Sequence, residues 1–209
     1  MRVVMLSPPG AGKGTHSRWL ERQTGATHIS SGELLRAEVA RGSGLGRKVA
    51  EYTDRGDLVP DELIFDVLIP AVVAAASESG GYVLDGFPRT MPQALRAAQI
   101  AVELGISSDA VIYLTAPEEE LVARLLERAE IDGRPDDTLE VIRHRLAVYA
   151  SETAPLVDYY RGRGILLEVS TDRPEEEVRA DLRDGLAARG LVLSLDGESV
   201  SGGTGANDR

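Results

Sequence analysis

The run Val3-Val4-Met5-Leu6, then Gly10-Ala11-Gly12-Lys13-Gly14-Thr15, then Ser17-Arg18-Trp19-Leu20-Glu21-Arg22, constrains the fold more than any other stretch of the chain. An apolar strand, a glycine-rich turn, a lysine, a hydroxyl and a helical pattern together make a phosphate cradle. The glycines allow backbone N–H groups to converge on phosphate oxygens without side-chain clash. Lys13 adds a point positive charge, and Thr15 offers a hydroxyl near a phosphate-borne cation. The usual spacing is broken at two places: Ser7 stands where a first glycine belongs, and Gly14 separates Lys13 from Thr15. The competing reading is a surface loop that happens to be rich in glycine. The strand before it and the helix after it favour the cradle.

Tyr82-Val83-Leu84-Asp85-Gly86-Phe87-Pro88-Arg89-Thr90 is a second short apolar strand, ending in a carboxylate, a glycine and an arginine. Ligands of open parallel α/β sheets sit beyond the carboxyl ends of the strands. Asp85 and Arg89 are therefore expected to project toward the crevice that holds loop 10–15. A carboxylate can hold the waters of a magnesium ion, and an arginine can clamp a phosphate with two N–H bonds. Taken alone, Asp85 reads equally well as a turn or cap residue, and Arg89 as a solvated surface charge.

The chain alternates apolar runs with helical patterns. Strands are expected at Val3–Leu6, Thr27–Ile29, Tyr82–Asp85, Ala110–Leu114 and Ile165–Val169. Helices between them imply a parallel sheet covered on both faces. Pro117-Glu118-Glu119-Glu120 and Pro174-Glu175-Glu176-Glu177 each open a helix, with proline at the first turn and carboxylates near the positive end of the dipole. Pro155 interrupts a helical pattern and predicts a new turn or a kink. Residues 194–209, rich in Ser and Gly, read as a disordered tail. A length of 209 residues suits one sizeable core with small inserted lobes. A net charge of −11 argues against nonspecific nucleic-acid binding, although a cleft can still focus positive field. With 0 cysteines there is neither a disulfide frame nor thiolate chemistry. The absence of a signal peptide or long apolar run makes the cytoplasm, and no membrane partner, the expectation.

Several of these segments together resemble the adenylate kinases, within the nucleoside monophosphate kinases. The resemblance is carried by Pro9–Thr15 and Asp85–Thr90, by Ile29-Ser30-Ser31-Gly32-Glu33-Leu34-Leu35-Arg36, by Asp57-Leu58-Val59 and by Gln93. It continues through Arg124–Arg128, Gly133–Asp137, Arg143–Leu146, Thr153–Leu156 and Tyr159-Tyr160, and covers residues 1 to about 190. Several motifs in the right order are far more specific than one.

The resemblance implies a P-loop three-layer α/β/α fold with a five-stranded parallel sheet and one domain over 1–193. Inserted in it are a helical lobe for the nucleoside monophosphate, about 30–59, and a short lid, about 127–137. It implies reversible, Mg²⁺-dependent phosphoryl transfer from ATP to AMP, giving two ADP, by a monomer. Gly10, Ala11, Gly12, Lys13, Gly14, Thr15, Arg124, Arg128 and Arg173 are then expected at the ATP. Ser31, Arg36, Asp57, Leu58, Val59, Gly86, Phe87, Pro88, Arg89, Gln93, Arg134 and Arg145 are expected at the AMP. Lys13, Asp85, Arg89, Arg128, Arg134 and Arg145 would carry catalysis, with Asp85 meeting Mg²⁺ through water. Arg124 would lie against the donor adenine and Arg173 near the donor base. A lid this short and free of cysteine leaves no place for the structural zinc of some longer-lid relatives.

Against the family pattern, Ser7 replaces a loop glycine, His16 stands where Gln is common, Ser31 replaces Thr, and Asp57 sits where Lys or an uncharged residue is frequent. His16, His28 and His144 show no ligand spacing. Thr90 followed by Gln93 favours adenine, because the amide of Gln both donates and accepts; uridylate/cytidylate kinases usually carry Asn after the motif arginine. A nucleotide sensor with a dead site is the alternative outside enzymes. The presence of Lys13, Asp85, Arg89, Arg128, Arg134 and Arg145 argues against it.

Overall fold

The computed structural model describes residues 1–55, 57–132 and 138–193. β1 (Arg2–Leu6), β2 (Thr27–Ser30), β3 (Tyr82–Asp85), β4 (Ala110–Thr115) and β5 (Leu166–Ser170) form one parallel sheet in the order β2-β3-β1-β4-β5. The five apolar runs of the sequence all become these strands, displaced by no more than one residue at either end.

Both faces of the sheet are buried, so these strands are nearly continuous in apolar residues. Alternate side chains sort to opposite faces. Val3, Met5, Ala110, Ile112 and Leu114 pack with Trp19 and Leu20 of α1 (Lys13–Thr24), Leu121 of α6 (Glu118–Asp132), and Val178, Leu182 and Leu186 of α9 (Glu175–Ala187). Val4, Leu6, Leu84 and Val111 face the other way. There they meet Phe65 and Leu68 of α4 (Asp61–Glu78), Ala94 of α5 (Met91–Glu103), and Leu156 and Tyr160 of α8 (Pro155–Gly162).

Between β2 and α4 the chain leaves the sheet as α2 (Ser31–Ala40) and α3 (Gly44–Thr53), each started by a serine cap. The Ser30 hydroxyl accepts the Glu33 N–H at 3.3 Å, and the Ser43 hydroxyl accepts the Gly46 N–H at 2.8 Å. This is the segment expected to be a separate lobe. Pro117 and Pro174 do precede α6 and α9, with three acids in each first turn. α7 (Leu139–Val148) runs into a π turn at Tyr149–Thr153, and α8 then starts at Pro155. Pro155 has no N–H to continue the ladder, and the chain widens just before it, where the Ala154 N–H bonds to the Tyr149 carbonyl at 2.9 Å. Of the expected lid, Glu127–Asp132 continue α6; Gly133–Asp137, with Arg134, lie outside the described residues, as do Gly56 and 194–209. No helix among the described residues is long and apolar enough to cross a membrane.

Candidate active site

The register pairs Met5 and Ser30 with Asp85, so β1, β2 and β3 end at one level and their following loops meet. The space beyond them is a cleft of about 390 Å³, lined by residues 5–15 (the end of β1, the loop after it and the start of α1), by Ser30, Gly32, Arg36, Leu58, Asp85, Gly86, Pro88 and Arg89, and by Arg124, Arg128, Arg145 and Thr153.

The loop after β1 is wedged onto α6. Gly10 has φ +89°, and a Cβ there would lie 2.7 Å from the Leu121 carbonyl oxygen and 3.1 Å from Leu125 Cγ. Only glycine meets both demands without displacement. Ala11 is fully buried, and Gly12, left-handed in its backbone, leads into α1. The first helical bond runs from the His16 N–H to the Gly12 carbonyl, at 3.1 Å. The amides of Lys13, Gly14 and Thr15 precede that bond, so they have no intrahelical acceptor and open on the cleft at the positive end of the helix dipole. Ser7 turns its hydroxyl inward, donating to the Pro8 carbonyl at 2.9 Å.

Lys13 Nζ lies 3.0 Å from Asp85 Oδ1. Asp85 is only 7% exposed. Burial pushes its carboxyl up, but the Lys13 charge and the nearby His28 ring outweigh this and hold it well below the usual carboxylate range. The His28 side chain, 6% exposed, presents Nε2 at 3.6 Å from Asp85 Oδ2, beyond hydrogen-bond length but close enough for electrostatic influence.

Arg89 is anchored on all sides. Its Nε donates to the Gly86 carbonyl at 2.7 Å, its N–H to Gln93 Oε1 at 2.8 Å, and its carbonyl accepts from Thr153 Oγ1 at 2.8 Å. Burial lowers the pKa of its guanidinium, and so does the charge of Arg145 and of Arg36, against the opposing pull of Asp85. Three arginines thus share one region of positive potential, which an incoming anion relieves. Gly86, at φ +81°, passes tightly against Ser31 and Arg89: a Cβ there would lie 2.5 Å from Ser31 Oγ and 3.2 Å from Arg89 Nη2. The Ser31 hydroxyl is buried without a hydrogen-bond partner.

On the opposite wall Arg124 pairs with Glu120, donates to the Thr171 carbonyl at 2.6 Å, and reaches Thr171 Oγ1 at 3.3 Å. Arg128 lines the same wall. Several expected residues stand elsewhere. Arg173 turns to Asp181 of α9, and the hydrogen bond from its guanidinium to that carboxylate raises its pKa. Asp57 bonds to His144 Nε2 at 2.8 Å and to Arg55 Nε at 3.1 Å; the His144 bond, first, and Arg55 hold its carboxyl below the usual range. Val59 is core, and buried Phe87 stacks edge-on against Phe65, with centroids 5.2 Å apart. Gln93 is buried beneath the wall rather than lining it. Asp61 and Thr153, which hold Gln93 and Arg89, and His28 were not among the expected site residues. Only their place in the fold reveals them.

The family model described as Adenylate kinase matches residues 5–165. An adenylate kinase of Thermobifida fusca is 44% identical over 189 residues, covering 90% of this chain and 100% of the relative. One from Thermus thermophilus is 43% identical over 184 residues, covering 88% and 96%. One from Leifsonia xyli subsp. xyli is 42% identical over 200 residues, covering 95% and 100%. With the cradle, the facing carboxylate and the arginine walls in place, and with relatives aligned along nearly their whole length, this chain belongs to the adenylate kinase family.

Proposed function

We propose that Lys13, Asp85 and the arginines around them carry the family's reaction, the reversible transfer of a phosphoryl group from ATP to AMP to give two ADP. The observation that carries this reading is the Lys13–Asp85 pair at 3.0 Å between a helix N-terminus and an arginine cluster. Phosphoryl transfer asks little covalent chemistry of a protein, because a phosphate oxygen is already a nucleophile. It needs the two polyanions aligned and their growing charge neutralised away from water.

The amides of residues 13–15 and Lys13 hold the donor phosphates, and Arg124 and Arg128 stand on the donor side. Arg36 and Arg89 grip the acceptor phosphate, and Arg145, with Arg134, stabilises the group in transit. Ser31, with its unpartnered buried hydroxyl, and Gln93 read the acceptor base, and Leu58 packs against it. The donor base lies toward Arg124 and the backbone near Arg173.

Magnesium borne on the donor phosphates fits this site. Asp85 is held ionised, and Thr15 brings a hydroxyl to the same cleft. Magnesium keeps most of its waters and takes phosphate ligands, so one carboxylate and one hydroxyl are enough to hold it here. When bound, magnesium supplies charge neutralisation on the donor phosphates. The working form proposed is a short-lid, cytoplasmic monomer with ATP, AMP and ADP as its partners and no structural zinc. The charge of −11 disfavours nucleic acid.

Steady-state kinetics of two variants test the division of the cleft. Arg89→Ala should raise KM for AMP while leaving KM for ATP near its original value, and Arg124→Ala should do the reverse. The assignment fails if both variants shift the two constants together.

A further inference from the structure

We infer that Asp61, the first residue of α4, is a positioning residue for acceptor-base selection, fixing which way the Gln93 carboxamide faces. The inference rests on the reading of Gln93 as the residue that meets the acceptor base.

Gln93 is 3% exposed and its amide is held from two sides. Oε1 accepts the Arg89 N–H at 2.8 Å, and Nε2 donates to Asp61 Oδ1 at 2.7 Å. Turning the amide over would set its NH₂ against the Arg89 N–H and its oxygen against the carboxylate. Two hydrogen bonds would be lost and like dipoles opposed in a buried place. The two partners therefore impose one orientation. The amide retains one N–H and one acceptor lone pair to offer elsewhere, in a fixed order.

Packing holds the anchor itself still. Asp61 and Phe65 are one helical turn apart, on the same face of α4. Phe65 stacks edge-on against Phe87, and the Arg96 guanidinium from α5 lies 4.4 Å above the Phe65 ring. α4, the 86–89 turn and α5 are thus locked together around Gln93. Arg89 keeps its separate anchors, with Nε on the Gly86 carbonyl and its own carbonyl on Thr153. Disturbing Asp61 therefore loosens the base reader while the phosphate clamp stays in place.

The base edge is where the fixed order matters. Adenine presents an NH₂ donor beside a ring-nitrogen acceptor. Hypoxanthine, of the same size and shape, presents a carbonyl acceptor beside a ring N–H donor. An amide locked in one rotation satisfies the first and opposes the second, whereas an amide free to turn serves both. Comparing AMP with inosine monophosphate therefore isolates orientation from size.

Initial rates with each acceptor, at saturating MgATP, test this in the full chain and in Asp61→Ala, Asp61→Asn and Gln93→Leu. Asp61→Ala should lower the AMP-to-IMP ratio of kcat/KM about tenfold, the worth of one buried hydrogen bond to a charged group. The loss should appear mainly in KM for AMP, with KM for ATP unchanged. Asp61→Asn keeps an oxygen at the same place and should restore most of the ratio. Gln93→Leu should abolish the preference. An Asp61→Ala enzyme that slows equally with both acceptors, keeping the ratio, overturns the inference and marks Asp61 as merely structural, while a collapsed ratio in Gln93→Leu would still uphold the base-reading role. A Gln93→Leu enzyme with the original ratio overturns both.

Discussion

Replacing Lys13 with Met removes the cation that lies between the donor amides and Asp85. At the observed 3.0 Å, and with an effective dielectric of about 20, two unit charges attract by about 5.5 kcal/mol. A phosphate oxygen held at that range receives an attraction of the same order, and stripping water from the ammonium cancels part of it. If about half survives in the transition state, roughly 2.7 kcal/mol of stabilisation is lost, which is about a hundredfold in rate. Methionine is unbranched and only one atom shorter than lysine, and Lys13 lies at the mouth of α1 rather than in the core, so the fold should persist. The assay is ADP formation from MgATP and AMP under saturating conditions, with circular dichroism to verify folding. A folded Lys13→Met protein that turns over within a factor of about three of the original would refute the argument, because no transition-state charge of this size would then be riding on Lys13.

Two further outcomes concern Asp85. If Asp85 orders the hydrated ion as proposed, Asp85→Ala should lower activity and raise the magnesium concentration needed for half-maximal rate; an unchanged magnesium requirement would contradict that role. Because the folded-state pKa of Asp85 is depressed, its contribution to stability is present above the unfolded value near 3.9 and is lost as pH falls through the lower folded value. Asp57 acts in the same direction. Urea midpoints measured from pH 6 downward should therefore fall less steeply for Asp85→Asn than for the original protein; equal slopes would exclude Asp85 as a source of acid sensitivity.

The sheet was legible because strands buried on both faces are written as unbroken apolar runs, Val3–Leu6 and Tyr82–Asp85 among them. The start of α1 was less so. The helical pattern is evident from Ser17, yet the helix begins at Lys13, because Gly12 caps it and Gly14, which reads as a turn residue, lies in its first turn. Pro70 would normally end a helix, but α4 passes through it, held by Ile64, Phe65 and Leu68 in the core. Motif order alone brings loop 10–15 and Arg36, Arg89, Arg124, Arg128 and Arg145 to one cleft, and the structure lines one cleft with them. The pairs that orient them could not be placed that way, because partners such as Gln93 with Asp61 and His144 with Asp57 are distant in sequence and meet only through the fold. Sequence spacing also places Arg173 and Asp57 by position without their side-chain directions, which surface carboxylate and histidine partners decide.

The most direct test of the account is the acceptor profile: initial rates with MgATP and AMP, CMP, UMP, GMP or dAMP, read as diphosphate formed. The buried Ser31 hydroxyl, and the one N–H and one lone pair that Gln93 keeps beyond its bonds to Asp61 and Arg89, are left unpaired by the wrong base. AMP should therefore exceed CMP and UMP in kcat/KM by about a hundredfold or more. Equal efficiency with AMP and either pyrimidine nucleotide would contradict the account.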